Sequence, residues 1–419
     1  MVSEVVLRGS LEGAANEATD ARAEAPAGRY LPAHHVPLPG NRCQLLRDGA
    51  EAYPAMLEAI RKARSTVRLC TYMFYDDAVG RLFGRALAGA ARRGVHVQVL
   101  YDALGNWRIP SRFYERLREA GVDVRPFKPF SLRWLSPIGR LARPAWVRGL
   151  WSFIRRDHRK LLAVDGEVAF IGGLNVAAQW APVGHGDGWR DDVLRVEGPA
   201  ALALERSFRA SWRFHFGRRC RRFRRLRELL QTRAYRRAPA RGETALAVLS
   251  NRRSIHRAYL HAIERARRSV RIAAAYFVPD RKLVRALQDA AARGVKVELL
   301  LNGKSDHPVV QLCARAFYAR LLTAGVHIYE WCSVNLHSKT AVVDGVWGTI
   351  GSFNLERTSL WLNHEVNVAF ADADLGSALE RRFLQDAARC RRVELDEWRR
   401  RPLWQKVLEH VLYRFRRLI

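Results

Sequence analysis

His158-Arg159-Lys160-Leu161-Leu162-Ala163-Val164-Asp165, with Gly172 and Asn175 behind it, returns later in the chain as His337-Ser338-Lys339-Thr340-Ala341-Val342-Val343-Asp344, with Gly351 and Asn354 behind it. The shared positions keep one constant displacement, from His158 to His337 through to Asn175 and Asn354. A lone His-x-Lys carries little information. Two extended copies in register mark a duplicated half-site.

The spacing dictates the chemistry. His158 and Lys160 are two residues apart and lead into an apolar, strand-like run, so they share one face of an extended segment. Asp165-Gly166 and Asp344-Gly345 read as tight turns into a second strand, over 168–171 and 346–350. Asp165 and Asp344 complete the motif, but each begins a turn and reads as a support for it. Gly172 and Gly351 let the backbone pass close to a neighbour, and Asn175 and Asn354 follow with a polar amide. Two such half-sites face to face bring two imidazoles, two ammonium groups and two amides around one centre. That set suits phosphoryl transfer without a metal. One imidazole attacks phosphorus and the other protonates the leaving alcohol, while Lys and Asn hold the non-bridging oxygens. Lysine is scarce, eight among 72 basic residues. Its presence at both equivalent positions therefore points to a compact cation for phosphate.

On these residues the chain resembles the phospholipase D superfamily, whose signature is His-x-Lys-x4-Asp in two copies followed by Gly-[Gly/Ser]-x-Asn. Within it, the chain resembles bacterial cardiolipin synthases of the type without N-terminal transmembrane helices. The likeness runs over about residues 38 to 390. It implies an α/β fold of two pseudo-twofold-related domains with mixed sheets flanked by helices, and an active site at their interface. It implies a catalytic set of His158, Lys160, Asp165, His337, Lys339 and Asp344, with His158 as the nucleophile, and no metal or cofactor. Asn175 and Asn354 would face substrate. In the family an acid orients each histidine across the site. Glu365, in Asn363-His364-Glu365, fits that role, and in Trp189-Arg190-Asp191-Asp192 either Asp191 or Asp192 does. The loop Gly303-Lys304-Ser305-Asp306-His307-Pro308 resembles a family stretch near the lipid headgroup, although a plain polar turn reads equally well.

The implied reaction is transphosphatidylation between two phosphatidylglycerol molecules, giving cardiolipin and glycerol through a phosphatidyl-histidine. Phosphatidylethanolamine is a further candidate partner. A hydrolase, a phosphatidylserine synthase and a phosphatidylethanolamine-using synthase share the motif. So does a metal-independent nuclease, and a non-catalytic membrane-binding protein is a further reading that the intact His and Lys of both copies oppose. Headgroup choice rests on pocket shape, which sequence does not display.

Composition narrows the setting. A chain of 419 residues holds two domains with sizeable cores. A net charge of +31 implies an anionic partner, either nucleic acid or an anionic membrane. The basic aromatic segments described below favour the membrane over nucleic acid. Cys43, Cys70, Cys220, Cys313, Cys332 and Cys390 are scattered, which argues for reduced thiols in a cytosolic compartment and against a zinc site. No apolar run reaches transmembrane length, and no signal-peptide pattern opens the chain. The expected location is peripheral, on the cytoplasmic face of the cell membrane.

Residues 1–37 are rich in Ala, Glu and Gly and read as disordered. A first domain is expected over 38–217. It opens with an edge strand around Leu45-Leu46 and a turn at Asp48-Gly49, followed by alternating helices and strands to Gly121. A second domain, over 244–392, repeats that order. Ala59-Ile60-x-x-Ala63-Arg64-x-x-Val67-Arg68 matches Ala262-Ile263-x-x-Ala266-Arg267-x-x-Val270-Arg271. One helix is expected over 314–324. The first half carries an extra segment, 127–157, that mixes Trp, Phe and Leu with Arg. It reads as membrane-interfacial or as core-packing. A basic linker spans 218–243, either solvated or in contact with phosphate. A basic amphipathic helix is expected within 393–419, either packed on the second domain or lying on anionic lipid.

Overall fold

A computed structural model describes residues 29–32, 34–128, 155–181, 188–216 and 242–414. The first half runs β1 (Leu38–Arg47), α1 (Asp48–Lys62), β2 (Thr66–Thr71), α2 (Ala78–Arg92), β3 (His96–Asp102), α3 (Ser111–Glu119), β4 (Asp123–Phe127), β5 (Leu161–Val164), β6 (Val168–Gly172), β7 (Asp192–Glu197) and α4 (Pro199–Phe216). The second runs β8 (Thr244–Leu249), α5 (Arg252–Glu264), β9 (Ser269–Ala274), α6 (Arg281–Ala292), β10 (Lys296–Asn302), α7 (Pro308–Arg315), α8 (Tyr318–Thr323), β11 (His327–Trp331), β12 (Lys339–Val343), β13 (Trp347–Gly351), α9 (Arg357–Trp361), β14 (Asn367–Ala371) and α10 (Ala373–Ala387). After these come β15 (Arg391–Val393), α11 (Leu395–Arg400) and α12 (Leu403–Arg414).

The strands form one sheet in the order β15-β11-β10-β9-β12-β13-β14-β8-β1-β7-β6-β5-β2-β3-β4. Read outward from the β8–β1 seam, the two arms have the same order. In each arm two successive pairings (β2–β3 and β3–β4, β9–β10 and β10–β11) are parallel and the motif strands pair antiparallel, while β15 adds an antiparallel strand outside β11. Parallel strands need both faces covered, and helices supply that cover. On one face each half has its own core: α1, α2 and α3 in the first, α5 to α8 in the second. On the other face a single core serves both halves. There Leu204 and Phe208 of α4 and Leu375 and Leu379 of α10 join Leu161, Ile171, Val342 and Ile350 of the motif strands.

Four expectations change. The strand around Leu45-Leu46 is not an edge: β1 pairs with β7 on one side and β8 on the other, and so forms the seam. Its pairing partner lies in the other half, which a domain-by-domain reading hides. Residues 29–37 are not disordered throughout, since Tyr30 and Leu31 are buried in the second-half core. The helix expected over 314–324 is two, α7 and α8. The C-terminal helix is also two, α11 and α12, because Pro402 cannot continue a helix through Arg401. The segments 1–28, 129–154, 217–241 and 415–419 lie outside the described residues, and with them most of the insertion and the linker.

Asp165 and Asp344 take left-handed φ values of 54° and 55°, and Gly166 and Gly345 follow at 70° and 67°. Two positive φ values in succession, closed by the Glu167 N–H to the Val164 carbonyl and the Val346 N–H to the Val343 carbonyl, make a tight turn of the I′ kind inside a three-residue connection. The Asp165 carboxylate accepts backbone N–H bonds from Arg64, Ser65 and Thr66. Asp344 accepts them from Arg267, Arg268 and Ser269, and takes the Tyr30 hydroxyl at 2.7 Å. Each aspartate thus ties its hairpin to the start of β2 or β9. A four- to five-residue strand, roughly 3.3 Å per residue, separates it from the histidine end. Both belong to the scaffold, not to the reacting centre. Asp344→Ala is expected to lower unfolding free energy by about 3 kcal/mol, and the more exposed Asp165→Ala by about 2 kcal/mol, as three backbone amides in each case lose a shared charged acceptor. Denaturant titration of the two variants checks both values.

Candidate active site

The residues that lead into each motif strand meet the other half through short parallel bridges. Asp157 bridges to His364, and Arg190 to Leu336. His158 N–H donates to the His364 carbonyl at 3.0 Å, and His337 N–H to the Arg190 carbonyl at 2.7 Å. Each histidine is therefore fixed next to the residue that precedes an acid of the opposite half.

Those acids take the imidazoles. His158 Nδ1 lies 3.1 Å from Glu365 and 3.2 Å from the Ser352 carbonyl. Both partners are acceptors, so Nδ1 carries the proton and Nε2 keeps a free lone pair. His337 Nδ1 lies 2.8 Å from Asp191. Asp192, the other candidate, accepts the Ser338 hydroxyl at 2.7 Å and meets Arg190 at 3.0 Å. Adjacent strand residues point to opposite faces, and the register gives the imidazole to Asp191.

The carboxylates differ in their surroundings. Glu365 accepts two hydroxyls, from Ser352 at 2.5 Å and Ser359 at 2.8 Å. Asp191 accepts Trp180 Nε1 at 3.1 Å and the Asp192 N–H at 2.9 Å. Gly173 stands where the second half has Ser352; a Cβ there would lie 2.4 Å from an Asp191 oxygen. Gly172 and Gly351 sit under the neighbouring strand, where a Cβ would meet the Asp192 and Val366 carbonyls at 2.2 and 2.3 Å. Beneath Asp191, Arg190 is buried among Asp386 at 2.8 Å, Asp192, and Asp48 at 3.3 Å, while Arg382 reaches Asp192 at 3.1 Å. Asp386 and Arg382 belong to α10, so this network also spans the halves.

Lys160 and Lys339 are buried, and each Nζ donates to the carbonyl of its own histidine. Burial, and then the facing Lys339, lower the Lys160 pKa to about 7. Burial lowers Lys339 to about 8, with Asp191 opposing. Burial and the nearby ammonium groups also push both histidines below their ordinary value, His337 well below. Burial raises Asp191 to about 7, against Lys339. Burial thus disfavours charge on both members of the Asp191–His337 pair, and a proton taken up there is shared between them. The arrangement offers a neutral nucleophile on one side and a proton on the other, with cations between.

The Asn175 Oδ1 accepts from Met73 N–H at 3.2 Å and Thr71 at 3.3 Å, so this amide braces the loop after β2. Asn354 is buried with its Oδ1 unpartnered. In the Gly303–Pro308 loop, Lys304 is exposed and Asp306 accepts Tyr276 at 2.9 Å and Asn335 at 3.0 Å. Sequence reasoning passed over Tyr72 and Tyr276. The Tyr72 ring lies 5.3 Å from His158 and 5.3 Å from the Lys160 ammonium; Tyr276 lies 6.3 Å from His337. Both just follow strand ends, where ligand loops sit, and that position was the available signal.

The family model described as "Cardiolipin synthase, PLD-like domain" matches residues 56–212 and 259–387, more than half of the chain. A cardiolipin synthase from Geobacillus kaustophilus (strain HTA426) is 32% identical over 387 residues, covering 90% of this chain and 72% of that protein. Cardiolipin synthase B from Escherichia coli (strain K12) is 33% identical over 392 residues, covering 90% and 88%. Among solved structures, phosphatidylserine synthase from Haemophilus influenzae Rd KW20 superposes with a TM-score of 0.66 at 12% identity, over 92% of this chain and 96% of that one. At that identity the match speaks for the fold.

The lysine values give a pH signature for the free centre. An ammonium attracts phosphate only while protonated, so affinity for inorganic phosphate or tungstate is expected to fall about tenfold or more as pH rises from about 6 to about 9. Free lysine side chains would hold their charge to about pH 10. Calorimetric titration across that range checks it; a flat affinity would contradict the burial argument.

Proposed function

The chain belongs to the family described as cardiolipin synthase, PLD-like domain, and we propose from that premise that it joins two phosphatidylglycerol molecules into cardiolipin with release of glycerol. The observation that carries the reading is the pair of imidazoles, each hydrogen-bonded to an acid of the opposite half, beside two buried ammonium groups. That constellation suits a phosphodiester passing through a covalent intermediate. The lipid assignment rests on the cardiolipin synthases that resemble the chain over 90% of its length.

In this reading His158 Nε2 attacks phosphorus and forms a P–N bond. The P–O bond to the glycerol headgroup breaks, and the Asp191–His337 pair gives its proton to the departing oxygen. Lys160 and Lys339 hold the non-bridging oxygens as charge grows on them. The hydroxyl of a second phosphatidylglycerol then enters. His337, now neutral, takes its proton, the new P–O bond forms, and the P–N bond breaks. Glu365 orients His158 and supports the imidazolium while it carries phosphorus.

In the same reading the protein sits on an anionic bilayer through α12. Leu403, Trp404, Val407 and Val411 are 76%, 65%, 60% and 47% exposed. Their spacing puts them on one helical face. The opposite side is occupied, with Leu412 packed against the second-half core and Arg401 paired with Glu409 at 2.6 Å. Among the described residues no helix is long and apolar enough to cross a membrane. A helix with one apolar face free, Arg399–Arg401 before it and Lys406 along it, suits the interface of a negatively charged leaflet.

Purified protein with phosphatidylglycerol vesicles and EDTA is expected to yield cardiolipin and free glycerol, and His158→Ala neither, as read by mass spectrometry of extracted lipid. Phosphatidic acid alone would make the enzyme a hydrolase, and unchanged lipid would remove the lipid reading. Trp404→Glu with Val407→Glu is expected to cut co-sedimentation with those vesicles at least fivefold. It should leave the fold intact by circular dichroism.

A further inference from the structure

The duplication makes asymmetry informative. What both half-sites require occurs twice, and what occurs once serves something that happens once. The displacement that carries His158 onto His337 pairs Asn175 with Asn354, Val176 with Leu355, and Ala177 with Glu356. The second half therefore carries a carboxylate where the first has a methyl group.

A second asymmetry adjoins it. Asp77 and Asp280 are counterparts that cap α2 and α6. In the first half Asp77 reaches across to the N–H of Ala178 at 2.7 Å and closes the space between the helix start and the motif. In the second half the counterpart of Ala178 is Arg357, and Asp280 turns instead to His256 at 3.2 Å. The space there remains as a cavity of about 230 Å³, lined by Glu356, Arg357, Arg281 and the Asp280–His256 pair, with an apolar wall that includes Leu360. That is the scale of a headgroup and short of the roughly 300–1,000 Å³ of sites for larger ligands.

Glu356 stands between this cavity and the reacting centre. Thr358 Oγ1 donates to it at 2.8 Å, which fixes its orientation. Burial raises its pKa to about 7, against the Thr358 bond, and its ionised form acts on Lys339 and Glu365 and on the phenols of Tyr72 and Tyr276. No step of the double displacement uses it.

We propose that Glu356 and the adjoining cavity seat the vicinal hydroxyls of a glycerol headgroup, so that the phosphatidyl group is handed to a polyol in preference to a simple alcohol. A carboxylate accepts two hydroxyl donors from a neutral diol without adding charge to a centre that already holds two ammonium groups. An ammonium headgroup would bring a third cation beside Lys339. Arg357 and Arg281 at the cavity suit the phosphate of the incoming lipid. The proposal rests on the transphosphatidylation reading, and its test separates the two.

The full-length enzyme is given phosphatidylglycerol vesicles with isotope-labelled glycerol, ethanol or ethanolamine as acceptor. Products are labelled phosphatidylglycerol, phosphatidylethanol or phosphatidylethanolamine. With glycerol and ethanol competing for the same phosphatidyl-enzyme, Glu356→Gln is expected to lower the glycerol-to-ethanol product ratio roughly tenfold or more. Equal loss with glycerol and ethanol, no loss with either, or a loss confined to ethanolamine would each overturn the assignment. If Glu356→Gln does not fold, Thr358→Val removes one of the two side chains that hold the carboxylate, the other being Asn354, and must shift the glycerol-to-ethanol ratio the same way; an unchanged ratio overturns it. A wild-type enzyme that transfers to no alcohol defeats the transphosphatidylation reading itself, which is a different outcome.

Discussion

Each imidazole at the centre of this molecule takes its carboxylate from the other half of the chain, and the rest of the fold keeps those two contacts at hydrogen-bonding distance. A charge-assisted hydrogen bond contributes only about 1.5–3 kcal/mol, so two of them cannot hold the halves in place. The surrounding structure does so. The β1–β8 pairing makes the sheet continuous, and α4 and α10 cover the motif strands of both halves with one apolar core. The Arg190 network locks α10 to the strand that carries Asp191. The position of Asp191 is thus set by groups that never touch substrate, as precise sites generally require.

The two half-sites share a topology but not a chemistry. Glu365 receives two serine hydroxyls. Asp191, one methylene shorter, lies against Trp180 and under Gly173, where burial raises it to about 7. A double displacement needs unlike partners at the start, one imidazole with a free lone pair and one with a proton to give. The fold meets that need by changing the neighbours of the histidines while both histidines stay.

Much of this was legible in the sequence, and the omissions have physical reasons. The period of two along a strand places His and Lys on one face, and the constant displacement between the copies pairs the motifs. Glu365 was readable only through the resemblance to a family in which an acid orients each histidine. Asp191 and Asp192 were not separable, because neighbours on a strand face opposite ways and only the cross-half register decides between them. The seam role of β1 was hidden because its partner, β8, opens the other half of the chain. Tyr30 sits at the end of a low-complexity segment, and nothing local announces that its hydroxyl finds Asp344. Glu356 was visible all along as a mismatch between copies, but a search for what repeats passes over what does not.

The crossing of acids between halves has a consequence for the cell that makes this protein. Its surroundings are built of phosphodiesters, and a loose nucleophile with a proton donor beside it would be a hazard to them. Neither arm of the sheet contains both members of either imidazole–carboxylate pair. A chain still emerging from the ribosome, or cut between the halves and separated, holds only histidines without their acids. Chemical competence arrives in one step, when the last strands close on the first, and is lost in one step when they part. The seam is thereby an interlock: reactivity exists only in a finished molecule.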